Sequence, residues 1–188
     1  RLRNAFAVSG SIAKALAPRS EPRLKAFADD LVARYSALSI AQGKMLDAGD
    51  GISVRDLVSE LASAFSTVPG AIRVGEIPAV VTGEATIRTL ALVLGELGTN
   101  SVKHGALGRG GHIELWGEDG EPGRWRLRWR EVLDDPAARA EPGPAVAGSG
   151  TGMDLMRRMA RTLGGDIETV ITPSGLDVTL SLPSNPAA

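Results

Sequence analysis

From Glu84 to roughly Leu107 the chain carries a helical run that is apolar almost all the way round, with Ile87, Leu90, Leu92, Val93, Leu94, Leu97 and Val102 spread over every face. A helix without a polar face is buried on all sides, so the remainder of the chain has to wrap it. Into this run are set Glu96, Asn100 and Lys103, at i, i+4 and i+7, which places them on one stripe. Burying a carboxylate, an amide and an ammonium in a row is costly unless polar groups meet them. A ligand carrying a metal ion and negative charge meets all three, because an amide oxygen suits a hard cation and a lysine suits a phosphate. The competing reading is a solvated stripe on an ordinary helix.

A second motif favours the ligand. Gly148-Ser149-Gly150-Thr151-Gly152-Met153-Asp154 is a glycine-rich turn that runs into an amphipathic helix. Thr151 and Asp154 have the spacing of a capping box, which predicts a helix start near Gly152. Glycines ahead of a helix N-terminus let backbone N–H groups approach a phosphate, and the helix dipole adds to the attraction. Such entries are common on their own. Combined with a metal-and-phosphate stripe earlier in the chain, the motif indicates a nucleotide site.

Composition excludes several alternatives. With 188 residues and 43% hydrophobic content the chain can bury a sizeable core. A net charge of −1 gives no bias toward polyanions, so nucleic acid is not an expected partner. The absence of cysteine rules out a disulfide scaffold, thiolate chemistry and thiolate metal sites. No stretch is long and apolar enough for a membrane span, no signal peptide is recognisable, and a cytoplasmic location is expected. The chain opens at Arg1 in the middle of a helical pattern, as a piece of a longer protein would.

Two regions are expected. Residues 1–49 read as a helical hairpin. Leu2, Phe6, Ile12 and Leu16 recur at helical spacing, Ala17-Pro18 to Pro22 breaks the helix, and Leu24, Phe27, Leu31, Tyr35, Leu38 and Met45 continue in a second one. A lone hairpin cannot enclose its apolar faces, so it pairs with a second copy in a four-helix bundle or folds against the rest of the chain. Residues 50–188 read as mixed α/β. Ser53 and Asp56 predict a capped helix through about Phe65, and short strands follow at 71–75 and 79–82. After the long helix come strands at 112–118 and 124–132, a Pro- and Ala-rich loop over 133–147, the second glycine motif with its helix, and a closing hairpin of strands at 166–172 and 175–182. Strands with helices gathered on one face make an α+β sandwich.

The segment Glu96-x-x-x-Asn100-x-x-Lys103-His104, the later Gly148-x-Gly150-x-Gly152 entry and the upstream hairpin resemble a sensor histidine kinase. The ATP-binding part is similar to the fold shared with gyrase and the heat-shock-90 chaperones. The HWE subfamily is the nearest likeness: His104 stands for its N-box histidine, Trp129-Arg130-Glu131 for its Trp-x-Glu, and Arg1-Leu2-Arg3-Asn4 for part of its phosphoacceptor segment. The only phenylalanines are Phe6, Phe27 and Phe65, in keeping with a family that lacks a phenylalanine box after the nucleotide motifs. The resemblance implies ATP and Mg²⁺ as cofactors. Asn100 would bind the Mg²⁺, Lys103 would neutralise phosphate charge, Glu96 would be the general base and His104 would line the site. Gly148, Gly150, Thr151 and Gly152 would form the lid turn, and Glu131 would accept a hydrogen bond from the adenine amino group. It further implies a response-regulator receiver domain as partner and a homodimer through the hairpin.

Two departures from the family pattern stand out. The acceptor histidine of the family precedes the arginine that is Arg1 here, and the only histidines in the chain are His104 and His112. The chain alone is therefore expected not to phosphorylate itself. After Glu131 the family has glycines that shape the adenine pocket, whereas this chain continues Val132-Leu133-Asp134-Asp135-Pro136, where Asp134 or Asp135 could stand in for Glu131. These departures keep open a degenerate phosphotransfer or binding module with weak or no ATP binding. An ATPase or serine kinase of the same fold is a further class. Finally, Trp125, Leu127 and Trp129 alternate with Arg124, Arg126, Arg128 and Arg130 as in a half-buried strand. Trp129 thus reads as core as readily as ligand contact, and Glu114, Glu118 and Asp119 are available to neutralise the arginine row.

Overall fold

The computed structural model describes residues 22–47, 51–66, 68–134, 151–172 and 175–184. The first expected helix of the hairpin, most of the 133–147 loop, Gly148, Gly150 and the Pro173-Ser174 turn lie outside the described residues. The described elements run α1 (Pro22–Asp47), β1 (Ile52–Ser53), α2 (Val54–Phe65), β2 (Ile72–Val74), β3 (Val81–Thr82), α3 (Glu84–His104), β4 (His112–Asp119), β5 (Arg124–Val132), α4 (Thr151–Thr162), β6 (Asp166–Thr172) and β7 (Gly175–Pro183).

Five strands form one sheet in the order β2-β4-β5-β7-β6, parallel only between β2 and β4. The alternation along β5 decides which face is covered. Trp125, Leu127, Trp129 and Glu131 point into the core with Ile113 and Leu115 of β4 and Val178, Leu180 and Leu182 of β7. Helices α2, α3 and α4 contribute Leu57, Leu61, Ile87, Leu90, Val93 and Met156 to that same core. The opposite face carries the arginines. Arg128 pairs with Glu118 at 2.7 Å and Arg130 with Asp177 at 2.8 Å, while the Arg130 guanidinium stacks 5.2 Å from the Trp116 ring. Its hydrogen bond to Asp177 holds Arg130 above its ordinary range, with the charges of Asp177 and Glu114 adding to that and partial burial opposing it. The expected neutralisation of the arginine row is thus shared between Glu118 and Asp177, the latter on β7 rather than on the strand considered from sequence.

Helix α1 lies along α3, and Ala37 and Ala41 are fully buried there. Close approach depends on two glycines of α3. A Cβ at Gly95 would lie 2.9 Å from Ala37 Cβ, and one at Gly98 would lie 3.0 Å from the Phe65 ring of α2. Lys44 adds a 2.8 Å pair to Glu60 of α2. Of the two ways to cover the hairpin's apolar face, packing against the rest of the chain is the one seen for α1.

Element bounds differ from expectation in small ways. The long helix stops at His104, and Leu107–Arg109 forms a separate 3-10 turn. Gly105 ends the helix by donating its N–H to the carbonyls of Asn100 and Ser101. Helix α4 starts at Thr151, one residue earlier than the capping-box spacing predicts. Ser53 caps α2 as expected, with Asp56 N–H donating to Ser53 Oγ at 3.3 Å. The two-residue strand β1 had no alternating pattern to announce it; it exists because Ile52 pairs with Thr82 and Ser53 with Val81.

Candidate nucleotide site

The polar stripe of α3 is met in a different way at each turn. Glu96 comes first, and only 12% of its side chain is exposed. Arg34 reaches it from α1, with Nε donating to Oε1 and Nη2 donating to Oε2 at 3.3 Å, a two-point fork on one carboxylate. One turn later Asn100 is half-buried, and Lys103 and His104 are exposed in the last turn. On its other side Glu96 meets α4. A Cβ built at Gly152 would lie 3.1 Å from Glu96 Oε2, so only a residue without a side chain lets the first turn of α4 come this near without crowding the carboxylate. The two motifs picked out from sequence therefore adjoin in space. Thr151 begins α4 in the backbone trace, beside Gly152.

Glu131 sits at the far end of β5 and is buried, at 4% exposure. Its Oε2 accepts the Ala106 N–H at 2.7 Å, and its Oε1 accepts the Trp129 indole N–H at 3.3 Å. The glycine after the long helix is what permits this, because a Cβ at Gly105 would lie 2.0 Å from Glu131 Oε2. Glu131 thus ties the end of α3 to the sheet, and its hydrogen bond orients Trp129, which is itself a core side chain. A buried carboxylate is tolerable here because donors meet both oxygens. Leu133, two residues on, is buried as well. His112 opens β4 with Nδ1 at 3.4 Å from Asp134 Oδ1 and Nε2 at 3.0 Å from Arg73 Nη1, a surface hydrogen-bonded position at the strand's start.

Among the described residues, no group of three or more histidines, aspartates and glutamates is placed to hold a metal ion. A cation here would take few protein ligands. Arg34 is the site residue that sequence reasoning passed over, yet a signal was available. It follows Leu31 by three and precedes Leu38 by four, which puts a charge on the apolar stripe of α1. A charged side chain on a buried stripe calls for a buried partner.

No protein-family model matches the chain. It is 32% identical over 97% of its length to the blue-light-activated histidine kinase 1 of Erythrobacter litoralis, and it spans about half (51%) of that relative. Among solved structures, the histidine kinase domain of the Erythrobacter litoralis EL346 blue-light-activated kinase superposes with a TM-score of 0.65, covering 96% of this chain and 94% of that one at 18% identity. The catalytic domain of the histidine kinase ThkA matches with a TM-score of 0.52, over 72% of this chain and 97% of that one at 19% identity. A helical, glycine-entered site on one face of a mixed sheet is thus set in the fold of histidine kinase catalytic domains. No helix among the described residues is long and apolar enough to cross a membrane. Over almost its whole length the chain is thus homologous to a blue-light-activated histidine kinase, and its fold is that of histidine kinase catalytic domains.

Proposed function

We propose that the chain is a sensor histidine kinase core of the HWE type, which transfers the γ-phosphoryl group of Mg²⁺-ATP to a histidine nitrogen and from there to a response-regulator receiver domain. The observation that supports this reading is the approach of Gly152, in the first turn of α4, to Glu96, one helical turn before Asn100 on α3.

The residues present fit a magnesium nucleotide. Magnesium keeps waters and phosphate oxygens as most of its ligands and needs only one or two from protein, so the Asn100 amide oxygen suffices without an acidic cluster. Bound there, the ion supplies neutralisation of charge on the phosphates. Lys103 adds a second positive charge one turn further along α3. Gly152 brings no side chain to the point where α4 nears Glu96, and the N–H groups and helix dipole of that first turn would attract the anion. Glu96 accepts the proton of the attacking imidazole. Glu131, which already accepts from Ala106 and Trp129, would receive the adenine amino group as well. His104 lines the rim. Catalysis in this scheme comes from positioning and charge, with little covalent work asked of the protein. Dimerisation through the hairpin belongs to the same reading.

A second reading has its own support. Leu133 is buried two residues after Glu131, in the segment where the family pattern has glycines, and this favours a degenerate module whose adenine pocket is filled. Calorimetry separates the two. Mg²⁺-ATP or Mg²⁺-ADP should bind, and Asn100→Ala should remove the magnesium-dependent part of the affinity while leaving the fold intact. No binding at millimolar nucleotide would leave the degenerate module standing.

A further inference from the structure

Arg34 has no role in the scheme above, although it makes the two-point contact to the proposed base. It comes from α1, sixty-two positions away in sequence, and meets Glu96 with both the Nε and Nη2 groups. The pair is sheltered. The Glu96 side chain is 12% exposed and that of Arg34 is 35% exposed, and the fully buried Ala37 and Ala41 pack α1 onto α3 alongside it. On its open side Glu96 faces the first turn of α4. A carboxylate on a flexible side chain has many rotamers, and a rigid planar fork selects one of them. In that rotamer Oε2 points to the space in front of Gly152, where the phosphates are placed by the reading above.

We propose that Arg34 is a positioning residue for phosphoryl transfer. Its guanidinium fixes the Glu96 carboxylate against the first turn of α4, so the base is aligned only while the hairpin helix is docked on α3. Arg34 acts through Glu96 and touches no nucleotide. The consequence is a coupling built into the fold: the helix that belongs to the phosphoacceptor hairpin also sets the geometry of the base. A catalytic region with α1 undocked would bind nucleotide and transfer slowly. The inference rests on the kinase reading of the site.

The test uses the chain extended before Arg1 by a histidine and one helical turn, with acid-labile labelling from ATP as the readout of transfer. Misplacing a reacting group by about an ångström costs up to roughly 100-fold. Arg34→Ala should therefore slow transfer at saturating ATP by about 10- to 100-fold, with ATP and ADP affinities within about twofold of the parent. Arg34→Lys keeps the charge without the fork and should recover part of the rate. In an Glu96→Gln background, Arg34→Ala should slow transfer no further. A merely structural arginine would multiply the two effects. Loss of affinity for ATP but not ADP in Arg34→Ala would put the guanidinium on the γ-phosphate and overturn the proposal, as would an unchanged rate.

A second measurement needs no activity. In the chain as it stands, without nucleotide, the melting shifts of Arg34→Ala and Glu96→Ala should sum to more than that of the double variant, by about 2–4 °C. Additive shifts would mean that the pair is not made, and would sink the proposal by themselves. Coupled melting together with no transfer in the histidine-extended chain carrying Arg34 and Glu96 would instead refute the kinase reading, and the positioning role with it.

Discussion

Between Thr89 and Gly98 every residue of α3 is buried or half-buried, whereas Val102, Lys103 and His104 at its end are exposed. One helix therefore works under two regimes. In the first, neighbours arrive on all sides: α1 through Ala37, α2 through Phe65, the sheet through the shared core, and α4 through Gly152. A polar group in that stretch must be satisfied by protein, and Glu96 is, by Arg34. In the second regime the wrapping stops, Glu131 and Ser101 fasten the chain just past the helix through the Ala106 and Leu107 N–H groups, and the last turn keeps its polar side chains accessible. Asn100 stands at the border, half-buried. The lesson is that the stripe Glu96, Asn100, Lys103 runs from a sheltered, protein-paired end to an exposed one.

The largest expected effect lies in the wrapped half. Leu90 is fully buried in the shared core, and Leu90→Ala removes transfer energy and leaves a cavity, together about 2–5 kcal/mol. At roughly 2–4 °C per kcal/mol for a chain of this size, melting should fall by about 4–20 °C. A shift under about 2 °C would show that the core around α3 is looser than its burial indicates.

Next comes the seam between α1 and α3. Gly95→Leu places atoms where Ala37 Cβ already stands, since even a bare Cβ would be 2.9 Å away. Overpacking of this kind costs about 1–3 kcal/mol, offset by up to about 1 kcal/mol of improved helix propensity. The expected outcome is a modest net loss of stability with faster amide exchange localised to α1. Faster exchange spread evenly over α3 and the sheet, or none, would mean that α1 is not an independent layer of the wrap.

How much of this was legible depends on what each feature requires. The α+β arrangement was readable because its long elements carry strong periods: the alternation Trp125, Leu127, Trp129 marks β5, and the apolar run of α3 marks a central helix. Strand β3 falls within the strand expected at 79–82, whereas the two-residue β1 is made by its pairing with β3, and no local pattern encodes it. The meeting of Glu96 with Gly152 followed from two motifs that each called for a phosphate. The partners of those motifs were harder to see. Arg34 required knowing that α1 lies on α3 inside the chain, and the Glu131–Ala106 bond required seeing that Gly105 is small for the sake of a carboxylate twenty-six positions later. Long-range contacts between side chains depend on the tertiary arrangement, and sequence spacing carries no record of them.

The smallest effect on folding is expected at Lys103, and it tests the open half of α3. An exposed cation in the last turn of a helix gains about 0.3–1 kcal/mol from the helix dipole at low salt, and less at physiological ionic strength. Lys103→Ala should accordingly leave stability within about 0.5 kcal/mol, as surface substitutions generally do. Its effect should appear in nucleotide affinity. An ammonium at about 4 Å from a phosphate contributes between about 1 and 4 kcal/mol, depending on how far water is excluded, and the exposure of Lys103 argues for the lower end. That is roughly a fivefold to tenfold weaker binding of Mg²⁺-ATP. The difference between parent and variant should shrink as salt is raised, because screening weakens an exposed pair before it weakens the Asn100 contact. Lys103→Ala that lowers melting as much as Gly95→Leu would place Lys103 in the wrapped regime, and the division of α3 would fail. Unchanged affinity at low salt would keep the division and remove Lys103 from the ligand end of the stripe.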